Sequence, residues 1–300
     1  GSGSTIMSYA GICPPNVQMN VNDYYHYISI KEMQTFLQST SCAQKPPINF
    51  SAPVIQPLIP KTIPYGTPFI LTANAADVNT SDVLTYTFEQ VDAQLSAQPP
   101  VDTATVGPSF RSMPPNTSNF RSFPTRTEVN NGTTNSNSII KSLWEQLAKV
   151  ARSYNFIVTV RDNNPLGGSV VFSQPVEISV ANTGPFLITY PNNNPTIAEP
   201  TWYMGSSKTI TWNVAGTTSN GINTSHVNIK ISTDGGVNYT MLLANTPNDG
   251  SETLTIPNNL DNSYDARIMI EAVGNIYYTV SKKLVLWNPT LNVPGNELTN

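Results

Sequence analysis

The chain has 300 residues and a formal net charge of −4; only 11% of its residues are charged, 39% are hydrophobic, and Asn, Thr and Ser fill roughly a third of it. That balance excludes a coiled coil or helix bundle. With 15 basic against 19 acidic residues it also argues against a nucleic-acid binder that works by neutralising phosphates. No run approaches about 18 apolar residues, so no transmembrane segment is expected. The length predicts two domains, and 25 Pro with many β-branched runs predict a mainly β, exported protein.

The first unit, residues 1–47, holds both cysteines, Cys13 and Cys42. An even pair confined to one segment predicts a local disulfide. Ser29-Ile30-Lys31-Glu32 reads as a capping box opening a helix, with Ile28 and Met33 as a hydrophobic staple. Ile30, Met33 and Leu37 would share one face, and Lys45-Pro46-Pro47 would end the unit. Residues 48–182 read as an antiparallel β-sandwich, with strands near 68–73, 83–89, 156–161, 170–172 and 176–180. A long insertion, 92–137, interrupts it. Its repeated Phe110-Arg111-Ser112 and Phe120-Arg121-Ser122 suggest aromatic anchors that pin the insertion to the sandwich. Ile140, Leu143, Trp144, Leu147 and Ala151 then have helical spacing. Residues 183–288 read as a second sandwich of about seven strands, fibronectin-III-like or immunoglobulin-like. In it 227–232 alternates strictly and Asp234-Gly235 turns a hairpin. Residues 289–300 read as a linker or tail.

Chemistry-bearing residues are sparse. The two histidines, His26 and His226, fall in different units. There is no His-Glu-x-x-His, no Gly-x-Ser-x-Gly and no evident carboxylate pair. Cys13 and His26 are read as a disulfide half and a surface histidine. Asp77, Asn79 and Asp82 alternate oxygen ligands just before a strand, a pattern suited to calcium, with Asp162 as an extra ligand; the plain alternative is an Asx-turn. Trp202, Tyr203, Trp212 and Trp287 are candidates for a glycan platform, although the alternation around Trp212 places it in the core.

Thr5-Ile6-Met7-Ser8-Tyr9-Ala10-Gly11-Ile12-Cys13 resembles the Met-turn of metzincin zinc peptidases. Further pieces extend the likeness: Ile63-Pro64-Tyr65-Gly66-Thr67-Pro68-Phe69, Thr211-Trp212-Asn213-Val214-Ala215-Gly216-Thr217, and Ala266-Arg267-Ile268-Met269-Ile270-Glu271-Ala272. From Thr5 to about Val280 the chain resembles the C-terminal part of the secreted reprolysin-like metallopeptidases of Bacteroidetes-type bacteria. The resemblance implies a short helical remnant of a protease subdomain followed by two tandem antiparallel β-sandwiches, cadherin-like and fibronectin-III-like. It implies Met7 as the floor beneath a zinc ion and Tyr9 as a neighbour of that ion. It implies an upstream catalytic domain holding the zinc, a protein or cell-surface substrate, and a secreted or cell-surface location. Asp102-Thr103-Ala104 resembles the short O-glycosylation signal of such bacteria, with Thr103 as acceptor. The zinc-ligand helix is not in this sequence, so this chain alone is expected neither to hold catalytic zinc nor to cleave peptides. With no initiator Met and no signal sequence, it reads as a processed product, a laboratory-made fragment or a piece of something longer. The competing expectations are a cell-surface adhesion or structural fragment without peptidase activity, and a pair of carbohydrate-binding modules.

Overall fold

A computed structural model describes residues 3–42, 50–132, 144–191 and 199–289. Polar–apolar alternation sets many short stretches of the chain into strands, because successive side chains point to opposite faces. In chain order the elements are α1 (Tyr27–Ser39), β1 (Val54–Ile55), β2 (Lys61–Pro64), β3 (Phe69–Thr72), β4 (Ala75–Ala76), β5 (Thr85–Gln90), β6 (Phe120–Phe123), α2 (Arg126–Gly132), β7 (Arg152–Arg161), β8 (Val170–Phe172) and β9 (Val176–Ala181). There follow β10 (Leu187–Tyr190), β11 (Thr201–Tyr203), β12 (Ser207–Asn213), β13 (His226–Ser232), β14 (Thr240–Pro247), β15 (Ser251–Thr255), β16 (Ser263–Ala272), β17 (Tyr278–Val280) and β18 (Leu284–Trp287).

The chain is mainly β, and its strands form two β-sandwich units. In the first, the sheet runs β2-β9-β7-β5, with β8 also on β7, while β3 pairs β6 and β1 pairs β4. In the second, β10-β12-β15 faces β11-β18-β16-β13-β14, with β17 added to β16. Most pairs are antiparallel; β2–β9 and β11–β18 are parallel.

Phe69, Phe110, Phe123, Tyr154 and Phe156 form the centre of the first core, with Phe69 and Phe123 stacked at 5.1 Å. Two of these rings come from the insertion. It is therefore not a loop pinned on the outside: its residues 120–123 are β6, paired with β3, and its residues 126–132 are α2. Phe110 is an anchor as expected, but in the second copy of the repeat the buried ring is Phe123, while Phe120 is exposed. The helix expected around 140–151 does not form in its described part. Glu145 instead bridges Phe110, and Gln146 N–H donates to Ser109 O. Ile140 and Leu143 lie outside the described residues.

Helix α1 begins before the expected capping box. Its N-cap is His26, whose Nδ1 accepts from Ile28 N–H, and Tyr27 N–H donates to Glu89 of β5 at 2.8 Å. Ser29 and Glu32 thus lie inside the helix, not at its start. The helix also stops at Ser39, ahead of the prolines. The Ser39 and Thr40 hydroxyls bond back to Phe36 O and Leu37 O, which offers the backbone an alternative to continuing. Lys45, Pro46 and Pro47 lie outside the described residues. The helix rests on the sandwich only near its start, where Tyr27 meets Phe172 edge-on at 4.9 Å. A cleft of about 520 Å³ opens between Lys31, Gln34 and Gln38 and the 172–175 segment. Met33 and Leu37 are exposed, so the expected apolar face buries little.

The two sandwiches share backbone hydrogen bonds. Ile70 N–H donates to Ile276 O and Tyr278 N–H to Pro68 O, so the β3–β6 pair continues into the second unit through a Phe69–Tyr277 bridge. At the junction Tyr65 N–H donates to Thr183 O, and Gly184 adopts φ +145° with its Cα against the Tyr65 backbone, where no side chain fits.

Candidate functional site

The β4–β5 loop supplies Asp77 and Asp82, and the residue after β7 is Asp162. One carboxylate oxygen from each lies within 4.8 Å of the other two. At an effective dielectric of about 20, each pair of unit charges at that distance repels by about 3–4 kcal/mol. Local turns fix all three. Asp77 Oδ1 accepts from Asn79 N–H at 2.7 Å, an Asx-turn. Asp162 Oδ1 accepts from Ser169 N–H at 2.7 Å and Asn164 N–H at 3.2 Å. Asn164 Nδ2 donates to both oxygens of Asp82. The other oxygens of Asp77 and Asp162, both named Oδ2, are buried and have no donor. Asn79, expected as a ligand, is turned elsewhere: its Oδ1 accepts from Ser51 N–H. The Asx-turn at Asp77 is thus part of the acidic cluster.

A second polar cluster joins residues 3–42 to the first sandwich. Glu89 on β5 is fully buried. Its Oε1 accepts from the Ser112 hydroxyl at 2.6 Å and lies 3.7 Å from His26 Nε2, while its Oε2 caps α1. Tyr24 donates to Ser112 Oγ at 2.7 Å, and burial pushes its phenol up. Arg161 holds Tyr25 O and Thr87 Oγ1, and Arg111 reaches Gln18. The sequence reading missed Glu89; the available signal was a lone charged residue within an otherwise uncharged strand. Beneath this cluster, Arg121 pairs with Glu145 at 2.5 Å and also holds Phe88 O and Arg111 O. Burial pulls the Arg121 guanidinium down, and Glu145 opposes that.

Met7 and Tyr9 lie in a turn closed by Ser8 N–H donating to Thr5 O, and both side chains are exposed. The cluster Asp77, Asp82 and Asp162 is remote from them in sequence, and among the described residues no other set of His, Cys, Asp and Glu converges. A zinc ion therefore has no ligand set among the described residues around Met7. Cys13 and Cys42 are exposed, unpaired thiols, which corrects the expected disulfide. Thr103 sits exposed in a turn. Trp202 and Trp212 are core, Trp212 donating to Asn248 Oδ1, so neither can form a platform. Tyr203 and Trp287 are register partners on β11 and β18, and Tyr264 lies 6.5 Å from Trp287.

No protein-family model matches the chain, and no curated protein matches it. Among solved structures it is similar to the FN1–FN3 domains of chicken CNTN1, at 10% identity over 76% of this chain and 68% of that one, TM-score 0.23. It is similar to Drosophila N-cadherin EC1–4, at 10% identity over 80% of this chain and 51% of that one, TM-score 0.23. It is also similar to the four N-terminal Ig domains of Dscam1 isoform 8.4, at 13% identity over 81% of this chain and 47% of that one, TM-score 0.20. The chain thus spans about half the length of the last two. Superposition this loose carries no argument, and the β-sandwich assignment stands on the strand pairing.

Proposed function

We propose that this chain is the non-catalytic accessory region of an exported zinc metallopeptidase. Residues 3–42 form the seat of an upstream catalytic domain, and the two sandwiches support that seat as a spacer at or outside the cell surface. The observation that carries the reading is the surface of the seat. Among the described residues 25 large apolar side chains are exposed, and eleven of them lie between Ile6 and Leu37. Exposed apolar area concentrated in this way marks an interaction face. The same segment is held to the first sandwich by Glu89, Ser112 and Arg161 through polar bonds. A segment anchored by polar bonds yet rich in exposed apolar side chains suits a joint between a catalytic unit and its support. The resemblance of residues 5–13 to a Met-turn supplies the identity of the unit. The test is intact-mass and fragment sequencing of the native polypeptide. A His-Glu-x-x-His-x-x-Gly-x-x-His helix before Gly1 is the expected result; a native chain starting at Gly1 would overturn the reading in favour of a surface adhesion fragment.

A second reading, glycan binding, has one observation in its favour: Tyr203, Tyr264 and Trp287 form an aromatic row on the second sandwich. Glycan-array binding that is lost in Trp287→Ala with the fold intact would support it.

A further inference from the structure

We propose that Asp77, Asp82 and Asp162 form a calcium site in the first sandwich. The proximity of three carboxylates would by itself be weak ground. What points to a cation is the state of their oxygens. Asp162 is 0% exposed, and its Oδ2 has no hydrogen-bond donor. Asp77 Oδ2 is likewise buried without one. A buried carboxylate oxygen is ordinarily satisfied, because leaving it bare forfeits its hydration without return. No ion pair found among the described residues involves any of the three. The nearest guanidinium in sequence, Arg161, is directed to Thr87 Oγ1 and Tyr25 O. Only a cation, or a proton, relieves such an arrangement.

The ligand chemistry selects the ion. All three donors are hard carboxylate oxygens, which suit calcium or magnesium and not a thiophilic or imidazole-seeking metal. Oxygens up to 4.8 Å apart fit about one calcium ion, whose bonds of about 2.3–2.6 Å let opposite ligands stand roughly 4.6–5.2 Å apart. Magnesium, with bonds of about 2.0–2.1 Å and a demand for regular octahedral geometry, would have to draw them closer. The site clips the β4–β5 loop to the turn after β7, a join otherwise made by Asn163 on Val83 O and Thr85 Oγ1 and by Asn164 on Asp82.

The test uses the full chain, stripped with chelator and titrated calorimetrically with calcium chloride and, separately, magnesium chloride. The expected result is one calcium per chain and a rise in Tm on the order of 5 °C at saturation, with magnesium at least tenfold weaker. Asp162→Asn keeps an acceptor for Ser169 N–H and removes one charge. It is expected to abolish calcium binding and, in chelator, to melt no lower than the wild type, because it relieves repulsion. Asp77→Asn should behave alike, which guards against a single variant that misfolds. Calcium that neither binds nor raises Tm, together with Asp162→Asn melting below the wild type in chelator, would overturn the proposal and leave a shared proton holding the cluster.

Discussion

Asp234 stands at the tip of the β13–β14 connection, where one carboxylate organises a whole turn. Partial burial pushes its carboxyl up, but donation from Asn238 N–H, the Ser232 hydroxyl, the Asn238 amide and Val237 N–H outweighs that and holds it down at about 2. An unfolded aspartate titrates near 3.9, so the folded form binds its proton less readily. The stabilisation is therefore complete above about pH 4 and is lost as the pH falls through about 2. Urea unfolding of wild type and Asp234→Ala should show a clear gap at about pH 5 that narrows towards pH 2. The Arg121–Glu145 pair is the opposite kind of charge, buried and paired at 2.5 Å. Glu145→Ala would leave the guanidinium enclosed without its partner, and denaturant unfolding should show a loss of about 3–5 kcal/mol.

Elements differ sharply in how firmly they are held. Helix α1 has no buried residue and touches the sandwich mainly through Tyr27, whereas every residue of β5 from Tyr86 to Gln90 is buried. Limited digestion with proteinase K, which is not confined to basic residues, should therefore cut first within α1, before the junction around Thr183, where Tyr65, Thr67 and Gly184 lock the backbone. A first cut between the sandwiches would contradict this. The same contrast explains what could be read in advance. The strands at 69–72 and 227–232 were legible because period-2 burial is written into their own residues, and those at 85–90 and 156–161, buried on both faces, from their β-branched and aromatic runs. The start of α1 was not, since its cap is a histidine aided by Glu89, more than sixty residues away. Trp144, Leu147 and Ala151 carry a helical spacing that pairing with Phe110 and Ser109 overrides. In the acid cluster, Asp77, Asp82 and Asp162 were legible as oxygen donors. The bond from Ser51 N–H to Asn79 Oδ1 was not legible, because Ser51 lies on a distant segment.

The molecule as a whole is tied at several points beyond the covalent linker. Besides the backbone bonds around Phe69 and Tyr277, Ser122 and the phenol of Tyr278 lie 2.5 Å apart. Lys61 reaches Gly274 O, Asn275 reaches Thr62 O, and Asn130 of α2 reaches Gly235 O while its own carbonyl accepts from Arg267. Calorimetry should accordingly show one unfolding transition, not two, with equal calorimetric and van't Hoff enthalpies. Two resolved peaks would show that these ties are too weak to couple the units.

The strand contact that crosses from Pro68 and Ile70 to Ile276 and Tyr278 has a consequence for descent. A module that is shuffled between genes must carry its own complete set of hydrogen bonds. Here, cutting between the sandwiches at Thr183 would strip partners from both halves at once. A rearrangement that transplanted either half alone would deliver a protein with an open, unpaired edge, the kind of surface that recruits neighbouring chains. The heritable unit is therefore the pair, and related proteins should gain or lose both sandwiches together.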